Sequence, residues 1–139
     1  MKSREALLKF KKFQVEEKRR RVAQIEAMVA EFGRMAGDLD REIESEEKRA
    51  GISDPAHFAY PTYAKAARTR RDNLVNSAAE LKDQLEEAKA ALEVAFEDLK
   101  KVEVLDDREK AAERAEAALR QQMEADRAAA RMRFVVGRA

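Results

Sequence analysis

The sequence predicts an all-α fold: a long two-helix antiparallel coiled-coil hairpin with an overhanging C-terminal helical arm. Three observations predict it. Charged residues make up 41% of the 139, with only four glycines and two prolines, a composition suited to long helices with a narrow apolar stripe rather than to a globular core. Two long stretches carry apolar residues at alternating steps of three and four. Between them the helix breakers gather, at Gly51, Ser53, Asp54, Pro55 and Pro61.

Helix 1 is expected from about Ser3, whose hydroxyl can cap the first turn, to about Ala50, where Gly51 stops it. Its seam reads Leu8, Lys11, Val15, Lys18, Val22, Ile25, Val29, Phe32, Ala36, Leu39 and Ile43. Lys11 and Lys18 stand where apolar residues belong, and the expectation is that their stems cover the facing leucines while the ammonium groups reach water. Gly33 and Gly37 have GxxxG spacing, but the charges at Arg34 and Asp38 exclude a membrane reading. A local softening of the helix and a close approach by a partner are the two readings of that pair.

The connection, residues 51–61, contains Ser53-Asp54-Pro55, a capping residue ahead of a proline, which predicts a short helical turn inside it. Pro61 then opens helix 2, with Tyr60 held extended before it. Phe58, Tyr60 and Tyr63 cluster here beside His57, the one histidine. Aromatic rings at a hairpin turn either close the end of the core or form a binding patch, and a thin two-helix rod has little room to bury three of them.

Helix 2 is expected from Thr62 to about Val136, with a seam at Leu74, Ala78, Leu81, Leu85, Ala88, Leu92, Ala95, Leu99 and Val102. Reversed, it meshes with the first seam when paired positions add to 110: 8 with 102, 22 with 88, 36 with 74. A slip of one heptad, to 117, also matches, so the pattern defines the hairpin better than its register. After Val102 the stripe reaches Leu105 after three residues where four are expected, which reads as a stammer. Met1 falls opposite Glu109, leaving about 30 residues with no facing helix. Ala112, Ala115, Leu119 and Met123, then Met132, Phe134, Val135 and Val136, suit either a frayed end or an amphipathic arm that awaits a partner.

Net charge is +1, yet charge is polarised along the chain. Residues 1–22 hold nine basic and three acidic side chains and residues 114–139 six and three, whereas 38–47 sums to −5 and 80–113 to −6. An antiparallel hairpin brings its termini to one end, so a basic tip is expected there. With no cysteine there is no disulfide or thiolate site. No apolar run resembles a signal peptide or approaches the ~20 residues that span a bilayer. The expectation is a soluble cytoplasmic protein without membrane insertion.

Catalytic chemistry has little to work with. There is no phosphate-binding glycine loop and no nucleophile beside His57, and the acidic run Glu42, Glu44, Glu46, Glu47 points around the helix rather than to one side. A non-enzyme with no cofactor and no metal is expected. Lys18-Arg19-Arg20-Arg21 and Arg70-Arg71 suit phosphate contacts, but no aromatic platform is interleaved, so no nucleic-acid partner is assigned.

Two stretches carry a family resemblance: Leu7-Leu8-Lys9-Phe10-Lys11-Lys12-Phe13-Gln14-Val15-Glu16-Glu17-Lys18-Arg19-Arg20, and Ser53-Asp54-Pro55-Ala56-His57-Phe58-Ala59-Tyr60-Pro61 running on into Arg70-Arg71-Asp72-Asn73-Leu74. With the two-helix layout, they resemble the FliJ family of flagellar type III export proteins in its alphaproteobacterial form. The resemblance implies a stalk that inserts into the flagellum-specific export ATPase hexamer, contacts the cytoplasmic domain of the export gate and escorts export chaperones, at the inner-membrane export apparatus. It assigns ATPase binding to Phe10, Phe13, Arg19, Arg20, Arg21, Arg131 and Phe134. Gate binding falls to Leu39, Ile43, Phe58, Tyr60, Tyr63 and Leu74, with the seam residues partly exposed. A coiled-coil adaptor or nucleic-acid-binding rod unrelated to flagella is the alternative.

Overall fold

The computed structural model describes residues 2–138; Met1, expected opposite Glu109, lies outside them. The fold is all-α, a hairpin of two long helices packed against each other, α1 (Lys2–Ala50) and α2 (Thr62–Arg138), with no strand among the described residues. Ser3 lies inside α1 rather than ahead of it. No Gly or Pro interrupts α2 before Gly137, and it runs unbroken through that residue. The helices contribute to two compact units, Met1–Lys11 with Glu97–Ala139, and Lys12–Phe96.

In the unit Lys12–Phe96 the alternating seam is the core. Val15, Ile25, Ala36, Leu39 and Ile43 of α1 are buried, as are Leu81 and Ala95 of α2. The remaining apolar seam positions, among them Val22, Val29, Phe32, Leu74, Ala78, Leu85, Ala88 and Leu92, are half-buried, as two helices alone dictate. The seam also reaches further towards the turn than its apolar residues suggest, through Ala67, Ala64 and Tyr60, all buried. Leu39, Ile43 and Ala67 form one cluster with Leu74 packed against it. Ile43 and Ala67 share this cluster and their numbers add to 110, and Arg71 Nη1 reaches Asp40 Oδ1 at 2.9 Å one position away from that rule. The structure therefore adopts the 110 register.

The turn is built from backbone hydrogen bonds. Gly51 takes φ 70°, the left-handed conformation that costs a residue with a Cβ ~1–2 kcal/mol. There it donates to the Glu47 carbonyl at 2.9 Å, and Ile52 donates to the same oxygen at 3.3 Å, closing the C-terminus of α1. The expected helical turn after Asp54 is replaced by two tight turns, His57 N to Asp54 O at 3.0 Å and Tyr60 N to His57 O at 3.1 Å. Side chains reinforce both: Asp54 Oδ1 accepts from Ala56 N, and His57 Nδ1 from Ala59 N. Such local acceptors compete with helix, which is why a helix does not form here.

In the unit Met1–Lys11 with Glu97–Ala139, Leu8, Leu99 and Val102 are half-buried. The expected stammer is absent. Leu105 is 56% exposed, and the seam instead continues from Val102 by a regular step of four to Asp106, which is buried. Facing it is Arg4, a regular four before Leu8, with Nε 2.5 Å from Asp106 Oδ1. A charged pair thus fills one layer of the seam, where the apolar pattern carries no sign of it.

Candidate interaction surfaces

The turn end of the Lys12–Phe96 unit carries most of the residues assigned to gate binding, and the structure sorts them into three kinds. Leu39 and Ile43, expected to be partly exposed, are buried, because Ala67 packs with them where no cover was foreseen. Leu74 is half-buried on the same cluster. Tyr60 is 8% exposed and belongs to a polar network: its hydroxyl donates to Glu47 Oε1 at 2.9 Å and accepts from Arg68 Nε at 3.0 Å, while Arg68 also meets Glu47 at 3.4 Å. The Tyr60 hydroxyl, then Glu47, hold the Arg68 guanidinium above its ordinary pKa.

The other two rings face outward. Phe58 is 97% exposed at the tip of the turn, stacked on His57 with ring centroids 4.7 Å apart. Tyr63 is 55% exposed and donates its hydroxyl to Glu42 Oε2 at 2.8 Å; that carboxylate pushes the phenol pKa up. The turn therefore offers one ring with almost no cover and one held by a single hydrogen bond. Sequence reasoning missed Glu47 and Arg68, which complete the Tyr60 network. Their only sequence signal is opposite charge on the two helix ends that flank the turn.

Of the residues assigned to ATPase binding, the Lys12–Phe96 unit holds Phe13, 54% exposed, and the exposed run Arg19, Arg20, Arg21. Arg19 is engaged twice, with Glu16 at 3.3 Å and over the Phe96 ring at 5.0 Å. Arg21 and Lys18 border a shallow groove over Ile25, Ala88 and Ala91 that also carries Glu87. The seam lysines differ: Lys11 is half-buried, whereas Lys18 is exposed.

The other unit holds Phe10, 53% exposed, and the arm residues Arg131 and Phe134, the latter 61% exposed. Here the structure adds a site. Arg4 reaches three carboxylates of α2, Asp106, Glu109 at 2.5 Å and Glu113 at 3.2 Å, and Lys110 meets the second Asp106 oxygen at 3.1 Å. Glu109 and then Glu113 drive the Arg4 pKa above its ordinary value. Burial pushes the Asp106 carboxyl up, but Lys110 and Arg4 outweigh it and hold it below the usual range. Away from α1, Val104, Leu105 and the stems of Lys100, Lys101 and Arg108 make an open apolar patch on α2.

Among the described residues no three His, Asp or Glu side chains are placed to hold a metal ion, and no helix is long and apolar enough to cross a membrane. Fold and surfaces together define a two-helix hairpin. The chain matches no family model, no curated protein and no solved structure.

Proposed function

We propose that this chain is a FliJ-type, non-enzymatic stalk of the flagellar type III export apparatus, linking the export ATPase hexamer to the cytoplasmic domain of the export gate and assisting chaperone escort. The observation that carries the reading is the connection 53–61, one of the two stretches that carry the resemblance, which holds Phe58 at 97% exposure on the tip of a hairpin. A desolvatable ring on a turn tied by its own backbone bonds is suited to anchor a partner. The gate contact falls to Phe58 and Tyr63, with Tyr60, Leu39, Ile43 and Leu74 supporting the turn from beneath. ATPase contact falls to Phe10 and Phe13 as apolar anchors and to Arg20, Arg21 and Arg131 as steering charges, Arg19 being partly spent on Glu16 and Phe96. Phe134 adds a further anchor on the arm.

Titrating the purified chain into the export ATPase, into the gate's cytoplasmic domain and into duplex DNA over a salt series tests this. The proposal expects saturable binding to the first two, with association to the ATPase slowing as salt screens the steering charges. Phe58→Ala should weaken gate binding without changing helicity. DNA binding at physiological ionic strength, with both protein partners ignored, would replace the stalk with a nucleic-acid-binding rod.

A further inference from the structure

The apolar seam matches itself equally well in two registers one heptad apart, and the charged seam positions decide what each register does with its polar groups. In the observed register Arg4 faces Asp106, with Lys11 opposite Leu99. Slipping α2 by seven residues would set Arg4 opposite Glu113 and Lys11 opposite Asp106. Both are ion pairs, and Arg4 already touches Glu113 at 3.2 Å. The apolar layers of the other unit survive as well: Val22 would exchange Ala88 for Ala95, Ala36 would exchange Leu74 for Leu81, and Ile43 would exchange Ala67 for Leu74. At the turn end Arg71 would exchange Asp40 for Glu46.

We propose that the hairpin is a two-register device, in which Arg4, Lys11 and Asp106 are the seam charges that serve both registers and the turn end is the catch that selects the observed one. A buried charge usually specifies a single register, because every other leaves it unpaired. Here the partners are duplicated at a spacing of seven: Asp106 and Glu113 for Arg4, Arg4 and Lys11 for Asp106. The slipped register therefore keeps Arg4 and Asp106 paired, and its one new charge in the seam is Glu109, which comes to face Leu8 at the open end. What it loses besides lies at the turn, where Ala64, Ala67 and Tyr60 give up their cover and Glu47 parts from Tyr60. A partner that pulls on the turn would release the catch, and helices that slide without melting carry the change along their length by about 10 Å. This device does not depend on who the partner is.

Paired cysteines read the two registers separately, since a disulfide tolerates Cα separations of about 4.4–6.8 Å and a heptad slip exceeds that range. Val22→Cys with Ala88→Cys reports the observed register, and Val22→Cys with Ala95→Cys the slipped one. Oxidation is run on dilute protein, and only monomeric crosslinked product is scored. In the parent the slipped pair should give about a tenth of the product or less, as a minor state does. Asp40→Ala with Glu47→Ala, which loosens the catch and leaves the seam intact, should raise that yield several-fold. Lys11→Glu, which would set two carboxylates face to face only in the slipped register, should abolish the gain. Absence of the slipped crosslink from both the parent and the loosened variant, while the Val22–Ala88 pair forms in each, would overturn the proposal. So would a slipped crosslink indifferent to Lys11→Glu, since fraying alone would then explain it.

Discussion

The helices that flank the turn and the C-terminal arm are alike in helical geometry, yet different forces hold them. Around the turn, Leu39, Ile43, Tyr60, Ala64 and Ala67 are buried and the Tyr60–Glu47–Arg68 network ties the two helices together. From Arg114 to Gly137 every residue is exposed except half-buried Ala117, and Leu119, Met123, Met132, Val135 and Val136 lie between 47% and 70% exposed. Packing between helices can stabilise the first region, whereas the second rests mainly on intrinsic propensity, aided by the alanines that fill it and by pairs within the helix such as Arg120 with Glu116. Helical geometry is thus no measure of helical stability. The exposed apolar residues of the arm make it the part of the chain whose stability a partner can change most.

The comparison breaks most visibly in the packed region. Ile25, 1% exposed, should cost ~2–5 kcal/mol as Ile25→Ala by thermal melt, and Ile43→Ala about as much, because neither site can fill with water without opening the seam. Half-buried Leu85 should cost less as Leu85→Ala, since part of its side chain is already wet. A smaller effect is expected at Gly51→Ala, about 1–2 kcal/mol, from forcing a Cβ into the left-handed region. Gly33→Ala, with open space where the Cβ would go, should instead stabilise α1 by ~0.5–1 kcal/mol. Leu119→Glu on the arm should leave the melt unchanged, because its side chain already lies in solvent.

The charged layer predicts a pH effect with a definite sign. The Asp106 pKa is depressed by folding, so its pairing stabilises the protein fully above the carboxyl's unfolded value, near ~3.9, and the contribution is lost as pH falls through the lower folded value. An acid titration of stability should therefore show a component below about pH 4 that Asp106→Asn removes. Identical acid limbs for parent and variant would mean that the pair contributes nothing. Replacing Arg4 alone with leucine should destabilise, because it leaves the Asp106 carboxylate covered with only Lys110 to compensate.

The seam was legible because apolar side chains at steps of three and four leave few other solutions, and the apolar positions from Leu8 to Ile43 and from Leu74 to Val102 are at least half-buried. The register was not legible, since a heptad slip still gives Val15, Val22, Ile25, Val29, Phe32, Ala36 and Ile43 apolar partners, and only pairs such as Ile43 with Ala67 distinguish the two. Arg4, Asp106 and Arg71 escaped notice for a different reason. A charged residue in a seam carries no periodic signal of its own, and its membership emerges only once an opposite charge is placed across from it. Tyr60 was legible as an aromatic at the turn but not as a buried one, because its cover comes from Glu47 and Arg68, distant in sequence. Phe58 was legible as an aromatic at the turn, but core closure and exposure were both open until two tight turns set its ring in solvent with His57 as its stacking neighbour.

Hydrogen exchange on the dilute chain, read peptide by peptide, tests the contrast between packed helix and propensity helix most directly. Amides at 39–50 and 62–82 should exchange slowly, through opening of the hairpin, and those at 114–137 faster by orders of magnitude. Adding a partner that binds the arm should slow the second set and leave the first nearly unchanged. Equal protection of the two sets in the chain alone would contradict the account, because it would mean that something beyond propensity already holds the arm.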